Sequence, residues 1–352
     1  MTVTYHAGRR IQGLDADRTA TQLPAGSVGG WVELGRTTLG SSNNDITVSS
    51  LSDKRYYMCL VDNRGASQSG WRLNGDTGSN YAIRRSTNGG ADSTLTSIDR
   101  AQFHAQGGVP EFAVAYWANY STKEKLGIGH TVSQNTAGAG NTPQRNEPVF
   151  KWTNTSNPIS SFTAHNAGAT AFPSGSEVVV LGYDPADTHT TNFWQELASV
   201  DLSGGASSTL DSGTFTAKKY LWVQAYLKST SNTLNTRVQL NNDTGSNYSY
   251  RGSGNGGSDF SGAPSTKFIG DFNGGFITAE FFNGFIINNA STEKLGIFHN
   301  NEWLTAGAGT APNRIEICGK WANTSNQITS IQFINSPNNY ATVSRLKVWG
   351  AD

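Results

Sequence analysis

Charged residues are scarce in this 352-residue chain, where Asp, Glu, Lys and Arg together make up 15%. Lys plus Arg total 26 and Asp plus Glu total 26, so the net charge is zero and no basic field attracts a phosphate backbone. The longest apolar run, residues 112–118, is far shorter than the roughly 20 residues that a membrane-spanning helix needs. We therefore expect neither nucleic acid nor a membrane among the partners.

Cysteine is scarce as well. The 2 cysteines, Cys59 and Cys318, each stand inside a short apolar run. Because free cysteine behaves as a small core hydrophobe, we interpret both as buried thiols and expect neither a repeated disulfide nor a shared metal site. Residues 1–19 contain no apolar core of the length that a secretory signal needs, so we expect no export by that route.

Glycine, in contrast, is abundant with 40 residues, and Asn, Ser and Thr crowd the gaps between short apolar runs. This composition favours turns and strands. The apolar stretches 56–61, 112–118 and 220–227 have the length of strands, and we find no helical apolar spacing sustained over three turns. The sequence therefore predicts an all-β protein.

The second half of the chain repeats the first in the same order. The sequence LNGDTGSNY at 73–81 returns as LNNDTGSNY at 240–248, and KLGI at 125–128 returns at 294–297. Further matches join NGG at 88–90 to 255–257, AGAG at 137–140 to 306–309, NTSN at 154–157 to 323–326, and EVVVLGYD at 177–184 to RLKVWGAD at 345–352. Such a repeat indicates an internal duplication of one domain.

The repeat also predicts the domain boundaries. Copy one spans 29–184 and copy two spans 193–352, with 185–192 as a linker. Residues 1–28 have no counterpart in the second half, and we interpret them as an N-terminal arm.

Two kinds of strand pattern occur within the copies. The segment 345–349, RLKVW, alternates between apolar and polar residues, whereas 56–61, YYMCLV, is apolar on both faces. A half-solvated sheet explains the first pattern, and a central or covered strand explains the second. Two tandem antiparallel β-sandwich domains of jelly-roll-like type satisfy both, and sheet edges with few charges favour a homo-oligomer.

The sequence DTGS at 76–79 and 243–246 is open to three interpretations. Two-lobed aspartic proteases contribute one such motif from each lobe, and their two carboxylates share a proton. A calcium loop would use Asp76 and Asn80 in one copy and Asp243 and Asn247 in the other. Polar residues precede both aspartates, however, and this context is typical of solvated turns in which Asp caps backbone amides. We expect the turn, with no metal and no cofactor.

Aromatic and histidine residues provide two further candidates. Tyr81 and Tyr248 lie beside the same turns and can stack on sugar rings, although they can equally be core residues. Among the 6 histidines, His130 and His299 occupy corresponding positions, and we interpret this pair as structural. We find neither a nucleophile elbow nor a placed acid beside them, so we expect no enzyme activity.

The segment 270–289 of copy two is richer in Phe and Ile than its counterpart. We expect this segment to pack at a subunit interface through Phe276, Phe281, Phe282 and Phe285.

The sequence RLNGDTGSNY at 72–81, followed by NGG, and the domain end SGSEVVVLGYD at 174–184 resemble β-sandwich structural proteins of tailed phages and uncultured marine viruses. The resemblance spans both copies and implies a non-enzymatic component of the virion surface, such as a capsid decoration, tail or fibre protein. Its partners are then other virion subunits. A carbohydrate-binding surface module and the two-lobed protease are the alternatives.

Overall fold

The computed structural model describes residues 30–103, 107–184, 192–231, 233–269, 278–303 and 305–352. Within these ranges all regular secondary structure is β-strand, as the sequence predicts. The arm at 1–28 and most of the linker, 185–191, lie outside the described residues.

Copy one contains twelve of the strands. They are β1 Val32–Thr38, β2 Asp45–Val48, β3 Tyr56–Asn63, β4 Ser69–Leu73, β5 Tyr81–Thr87, β6 Ser93–Ile98, β7 Ala101–Gln102, β8 Glu111–Ala118, β9 Lys125–Ser133, β10 Gln144–Trp152, β11 Phe162–Asn166 and β12 Glu177–Tyr183.

Copy two contains the other twelve. They are β13 Gln195–Asp201, β14 Thr209–Asp211, β15 Tyr220–Lys228, β16 Thr236–Leu240, β17 Tyr248–Gly254, β18 Phe260–Ser265, β19 Phe268–Ile269, β20 Ala279–Ile287, β21 Lys294–Trp303, β22 Asn313–Trp321, β23 Ile331–Asn335 and β24 Arg345–Ala351.

Each copy forms an eight-stranded and a four-stranded antiparallel sheet. In copy one the strand orders are β1-β12-β3-β8-β9-β10-β5-β6 and β2-β11-β4-β7. In copy two they are β13-β24-β15-β20-β21-β22-β17-β18 and β14-β23-β16-β19, which is the same order. The duplication in the sequence is therefore a duplication of topology.

The two sheets of each copy enclose an apolar core and form a β-sandwich. In copy one Tyr57 of the eight-stranded sheet packs edge-on against Phe162 of the four-stranded sheet, with ring centroids 5.3 Å apart. In copy two Phe282 meets Phe333 in the same manner at 4.9 Å. The period-two alternation of the strands directs one face of each sheet into this core, which confirms the predicted fold class.

A third apolar core lies between the two sandwiches, where the outer faces of the eight-stranded sheets pack on each other. Phe112 of copy one meets Tyr220 of copy two with ring centroids 6.3 Å apart. Hydrogen bonds also join the two copies beside this core. The Tyr220 hydroxyl donates to Glu177 Oε1 at 2.8 Å, and Lys320 Nζ donates to the carbonyl of Thr136 at 2.6 Å. The described chain thus has four layers of four, eight, eight and four strands.

The third core explains the strand that is apolar on both faces. In β3, Tyr57 and Cys59 enter the core of copy one, while Met58 and Leu60 enter the core between the copies. Cys59 and Cys318 are both free and buried, as predicted. A search of the described residues for a helix long and apolar enough to cross a membrane finds none.

Candidate functional site

The DTGS segment of copy one forms a tight turn between β4 and β5. Asn74 and Gly75 both adopt positive φ, of 54° and 67°, and the Asp76 amide donates to the carbonyl of Leu73 at 3.0 Å. Two consecutive positive φ values are characteristic of a type I′ turn, which Asn and Gly tolerate best. Asn241 and Asn242 repeat this geometry in copy two, with φ values of 51° and 53°.

The turn places the Asp76 carboxylate where several N–H groups converge. Trp152 Nε1 donates to Oδ2 at 2.8 Å, the Gly78 amide donates to Oδ1 at 2.8 Å, and Asn80 Nδ2 donates to Oδ2 at 2.9 Å. Partial burial alone would raise the pKa of Asp76, but these hydrogen bonds outweigh it, and the pKa lies below its usual value. The carboxylate is therefore held ionised as an acceptor.

Copy two repeats this arrangement. Trp321 Nε1 donates to Asp243 Oδ2 at 2.7 Å, the Gly245 amide donates at 2.9 Å, and Asn247 Nδ2 donates at 2.9 Å. Burial would raise the pKa of Asp243 too, but the hydrogen bonds again lower it. A carboxylate pair that shares a proton would instead raise one of the two pKa values, so this geometry favours the turn interpretation over a protease dyad.

The tyrosines that follow the turns are core residues. Tyr81 and Tyr248 are almost fully buried, and their hydroxyls accept from the amides of Leu73 and Leu240, each at 2.9 Å. Their rings have no open face for a sugar, which corrects the stacking role considered from the sequence. The Asp76 oxygens are occupied by N–H donors, which leaves little capacity for the calcium alternative.

Three motifs that recur in both halves meet at each turn: DTGS, KLGI and the tryptophan that precedes NTSN. Their spacing in the sequence did not indicate that they would meet. Lys125 of the KLGI motif is fully buried and lies with Nζ 5.6 Å from the ring centroid of Trp152, whose indole N–H binds Asp76. Lys294 and Trp321 repeat the contact at 5.8 Å. A carboxylate, an indole and an ammonium thus form one cluster, and the joint recurrence of the three motifs was the signal that could have revealed it.

We predict that this cluster stabilises the fold. Asp76→Ala is expected to lower the free energy of unfolding by about 2 kcal/mol, because the indole N–H of Trp152 loses its charged acceptor. Urea unfolding checks this value. Asp92→Ala is the matched control, since Asp92 is half-exposed in an ion pair with Arg84, and should change stability by less than about 0.5 kcal/mol. Equal effects of the two substitutions would contradict a structural role for the turn.

A polar cluster joins the two copies beside the core between them. The side chain of Arg145 on β10 is only 5% exposed, and it donates to Glu147 of its own strand. The guanidinium also donates to Glu316 on β22 at 3.0 Å and to Asp259 at 2.6 Å. A polar pocket of about 300 Å³ opens beside the cluster, between the turns at 88–90 and 255–257.

Glu147 and Glu316 of this cluster and the nearby His130 and His299 have shifted pKa values. Burial raises the pKa of Glu147 to about 7, and the nearby Glu316 adds to this, whereas a hydrogen bond between the two carboxyl groups keeps the pKa of Glu316 low despite its burial. His299 and His130 meet edge-on, with ring centroids 4.0 Å apart. Burial lowers the pKa of His299 to about 4 and lowers that of His130 too, so both rings are neutral at pH 7.

The ligand atoms of Glu147, His299 and Glu316 lie within 4.8 Å of one another, which is a spacing that a metal ion can use. The guanidinium of Arg145, however, donates to both carboxylates, and Arg314 lies 3.5 Å from Glu316. Side chains of the protein therefore supply the positive charge in this cluster, and we interpret the cluster as a buried ionic tie between the copies.

An apolar surface lies on the outer face of the eight-stranded sheet of copy one. We call it the apolar face. Its side chains line a pocket of about 320 Å³, except for Val149, which pairs with the pocket residue Ile128 across β10 and β9. Leu126 and Ile128 on β9 are 57% and 53% exposed. The apolar face consists of Trp31, Tyr56, Tyr116, Leu126, Ile128, Val149 and Tyr183.

The same positions of copy two are covered. Leu295 and Ile297, which occupy the places of Leu126 and Ile128 in the repeated KLGI motif, are only 2% and 6% exposed. The counterparts of Trp31, Tyr56, Tyr116 and Val149 are likewise buried in the core between the copies, and they are Trp194, Tyr220, Phe285 and Cys318. Within the described chain, equivalent surfaces of the two copies are thus exposed in copy one and buried in copy two.

The structure corrects the expected interface segment in part. Phe282 lies in the sandwich core of copy two, and Phe285 lies in the core between the copies, so neither is open to another subunit. Phe281 is exposed on the outer face of β20. Phe276 lies outside the described residues.

Comparisons with known proteins give no relative. No protein-family model and no curated protein matches the chain. Among solved structures, domains LG4-5 of the mouse laminin alpha1 chain align over 96% of this chain and 93% of that one, with 8% identity and a TM-score of 0.19. Neisserial surface protein A aligns over 81% of this chain and 99% of that one, with 8% identity and a TM-score of 0.10. Similarity this low identifies neither a family nor a function.

Proposed function

We propose that this chain is a non-enzymatic structural subunit of a virion surface, a capsid decoration, tail or fibre protein, which acts by binding other protein subunits. The exposed apolar face of copy one carries the proposal. A contiguous apolar surface on a folded protein typically marks a site of protein–protein interaction. The counterpart in copy two supports this reading, because there the same positions are buried against a protein surface.

The way in which the two sandwiches are joined suits a structural subunit. The two sandwiches are joined by an apolar core and by a buried ionic tie rather than by the linker alone. The virion context comes from the resemblance of the repeated motifs to phage and marine-virus β-sandwich proteins. On this proposal the protein is located at the virion surface or outside the cell, forms homo-oligomers and uses no cofactor.

Carbohydrate binding is the second candidate, because the aromatic residues of the apolar face line its pocket: Trp31, Tyr56, Tyr116 and Tyr183. Aromatic rings stack on sugars, but a sugar site also needs polar groups for the hydroxyls. The surface of this pocket is formed almost wholly by carbon atoms, which favours an apolar protein side chain as the occupant. The paired DTGS turns lend no support to the protease alternative.

Virus particles purified from the source that contains the gene provide the test of this proposal. An antibody raised against the purified protein should detect it in the particle band of a density gradient and should label intact particles in electron micrographs. Detection only in fractions free of particles would overturn the virion assignment. A glycan array probed with the protein tests the second candidate, and specific binding that Tyr56→Ala abolishes would favour it over assembly.

A further inference from the structure

The surface that covers copy two belongs to copy one. Leu295 and Ile297 are buried in the core between the copies, and the residues that copy one contributes to this core come from β3, β8, β9 and β12. We call this surface the covering face, and it consists of Met58, Leu60, Phe112, Val114, Val132, Val179 and Leu181. The surface of copy two that corresponds to the apolar face is therefore buried, and it is buried by an eight-stranded sheet of the same fold, that of copy one.

Copy two reproduces the covering face at three positions, where Trp222, Phe281 and Trp349 replace Met58, Phe112 and Leu181, but it is polar at the other four. Strand pairing places Gln224 at the position of Leu60, Lys347 at that of Val179 and Asn283 at that of Val114. Asn301 likewise replaces Val132. These polar side chains, among them the exposed ammonium group of Lys347, would lose their contact with water if copy two of a second chain covered the apolar face. Repeating the contact between the copies from chain to chain would therefore carry a desolvation cost that the contact within the chain does not have.

The apolar face is continuous with the core between the copies. Trp31 and Tyr116 of this face pack directly against that core, and the Phe193 amide donates to the carbonyl of Trp31 at 2.9 Å. An occupant would therefore extend an interface that already exists. From these observations we propose that a second copy of this chain docks on the apolar face, with the two apolar faces in contact about a twofold axis.

The charges at the rim suit a twofold contact. Lys151, which pairs with Leu126 across β10 and β9, has its Nζ 3.7 Å from the Glu124 carboxylate, and both side chains are exposed. A rim that carries both signs allows a lysine of one chain to meet a glutamate of the other across a twofold axis. The net charge of zero also removes long-range repulsion between two chains. A closed dimer is the expected assembly, because a twofold contact uses the same surface on both partners.

The inference rests on the proposed assembly function, and the mass of the full chain in solution tests it. Sedimentation equilibrium of the wild-type protein should give a dimer. Ile128→Glu should weaken the dimer at least about 100-fold, because it places a carboxylate without a partner in the contact. Val343→Glu is the matched control, since Val343 is an equally exposed aliphatic residue outside the apolar face, and it should leave the dimer intact. Circular dichroism confirms that each variant is folded.

The outcomes separate this inference from the proposed function. A wild-type protein that stays monomeric up to its solubility limit overturns the twofold dimer, and so does a dimer that Ile128→Glu leaves unchanged. If the monomer still bands with virus particles and Ile128→Glu prevents this, the apolar face binds a different virion subunit and the assembly function stands. A monomer absent from the particle band overturns both.

Discussion

Arg145→Met is expected to lower the free energy of unfolding by about 3 to 5 kcal/mol, which would be a large part of the stability of an ordinary domain. The side chain is 5% exposed and is bound to Glu147, Glu316 and Asp259. Methionine fills a similar volume but leaves three carboxyl groups with less positive charge nearby. Removing one partner of a buried ionic cluster is costly because the remaining charges stay desolvated.

Urea unfolding of the full chain measures this effect, and Arg84→Met is the matched control. Arg84 pairs with Asp92 at 3.4 Å, but both side chains are at least half exposed, so its loss should cost less than about 0.5 kcal/mol. In the Arg145→Met background, a further Glu147→Gln should recover part of the loss at about pH 8, because glutamine is neutral without a proton, whereas Glu147 must take up a proton or stay charged without Arg145. A loss of 0.5 kcal/mol or less for Arg145→Met would show that the cluster does not tie the copies.

Glu147→Gln is expected to stabilise the protein at about pH 8 by about 1 to 3 kcal/mol and to have little effect at about pH 4.5. Burial raises the pKa of Glu147 to about 7 from the ordinary 4.5. The folded state therefore holds this proton more tightly than the unfolded state does. As the pH rises from about 4.5 to 7, the unfolded chain releases the proton first, and wild-type stability falls relative to the glutamine variant.

Glutamine reproduces the neutral form of the side chain. Its amide can donate to Glu316 as the protonated carboxyl group does, and its carbonyl can still accept from Arg145. The measurement is the difference in free energy of unfolding between variant and wild type across this pH range. Taking the difference cancels the opposing contribution of His130 and His299, whose lowered pKa values make acid destabilising for both proteins.

The matched control for this experiment is Glu196→Gln. Glu196 lies in a surface ion pair with Lys347 at 2.8 Å, where screening by water leaves little energy in the pair. The difference between Glu196→Gln and wild type should stay within about 0.5 kcal/mol across the same pH range. A Glu147→Gln difference that is equally flat would mean that burial does not raise the pKa of Glu147.

Patterns that operate over a few residues were readable from the sequence. The period-two alternation in 345–349 places Leu346 and Val348 in the core of copy two. The run at 56–61, apolar on both faces, indicated a strand covered on both sides, and β3 is such a strand. The Asn-rich turns before Asp76 and Asp243 were readable too, because positive φ is a local property of the backbone.

Contacts between residues that are distant in the chain could not be predicted from the sequence. Arg145 meets Asp259 and Glu316, which are 114 and 171 positions away in the chain, and no spacing rule connects Arg145 to them. The buried rings of Tyr81 and Tyr248 are a milder case. Their local context suited either a sugar platform or a core, and the packing of the sandwich decided for the core.

The sequence by itself determined two tandem β-sandwiches, because alternation, turn residues and a repeated order of motifs are all local or one-dimensional signals. The tertiary structure alone decided which sheet faces are covered. Leu126 and Ile128 stand in the same five-residue sequence, EKLGI, as Leu295 and Ile297, yet the first pair is exposed and the second is buried. The difference arises because burial depends on side chains that are distant in the chain, here those of the covering face.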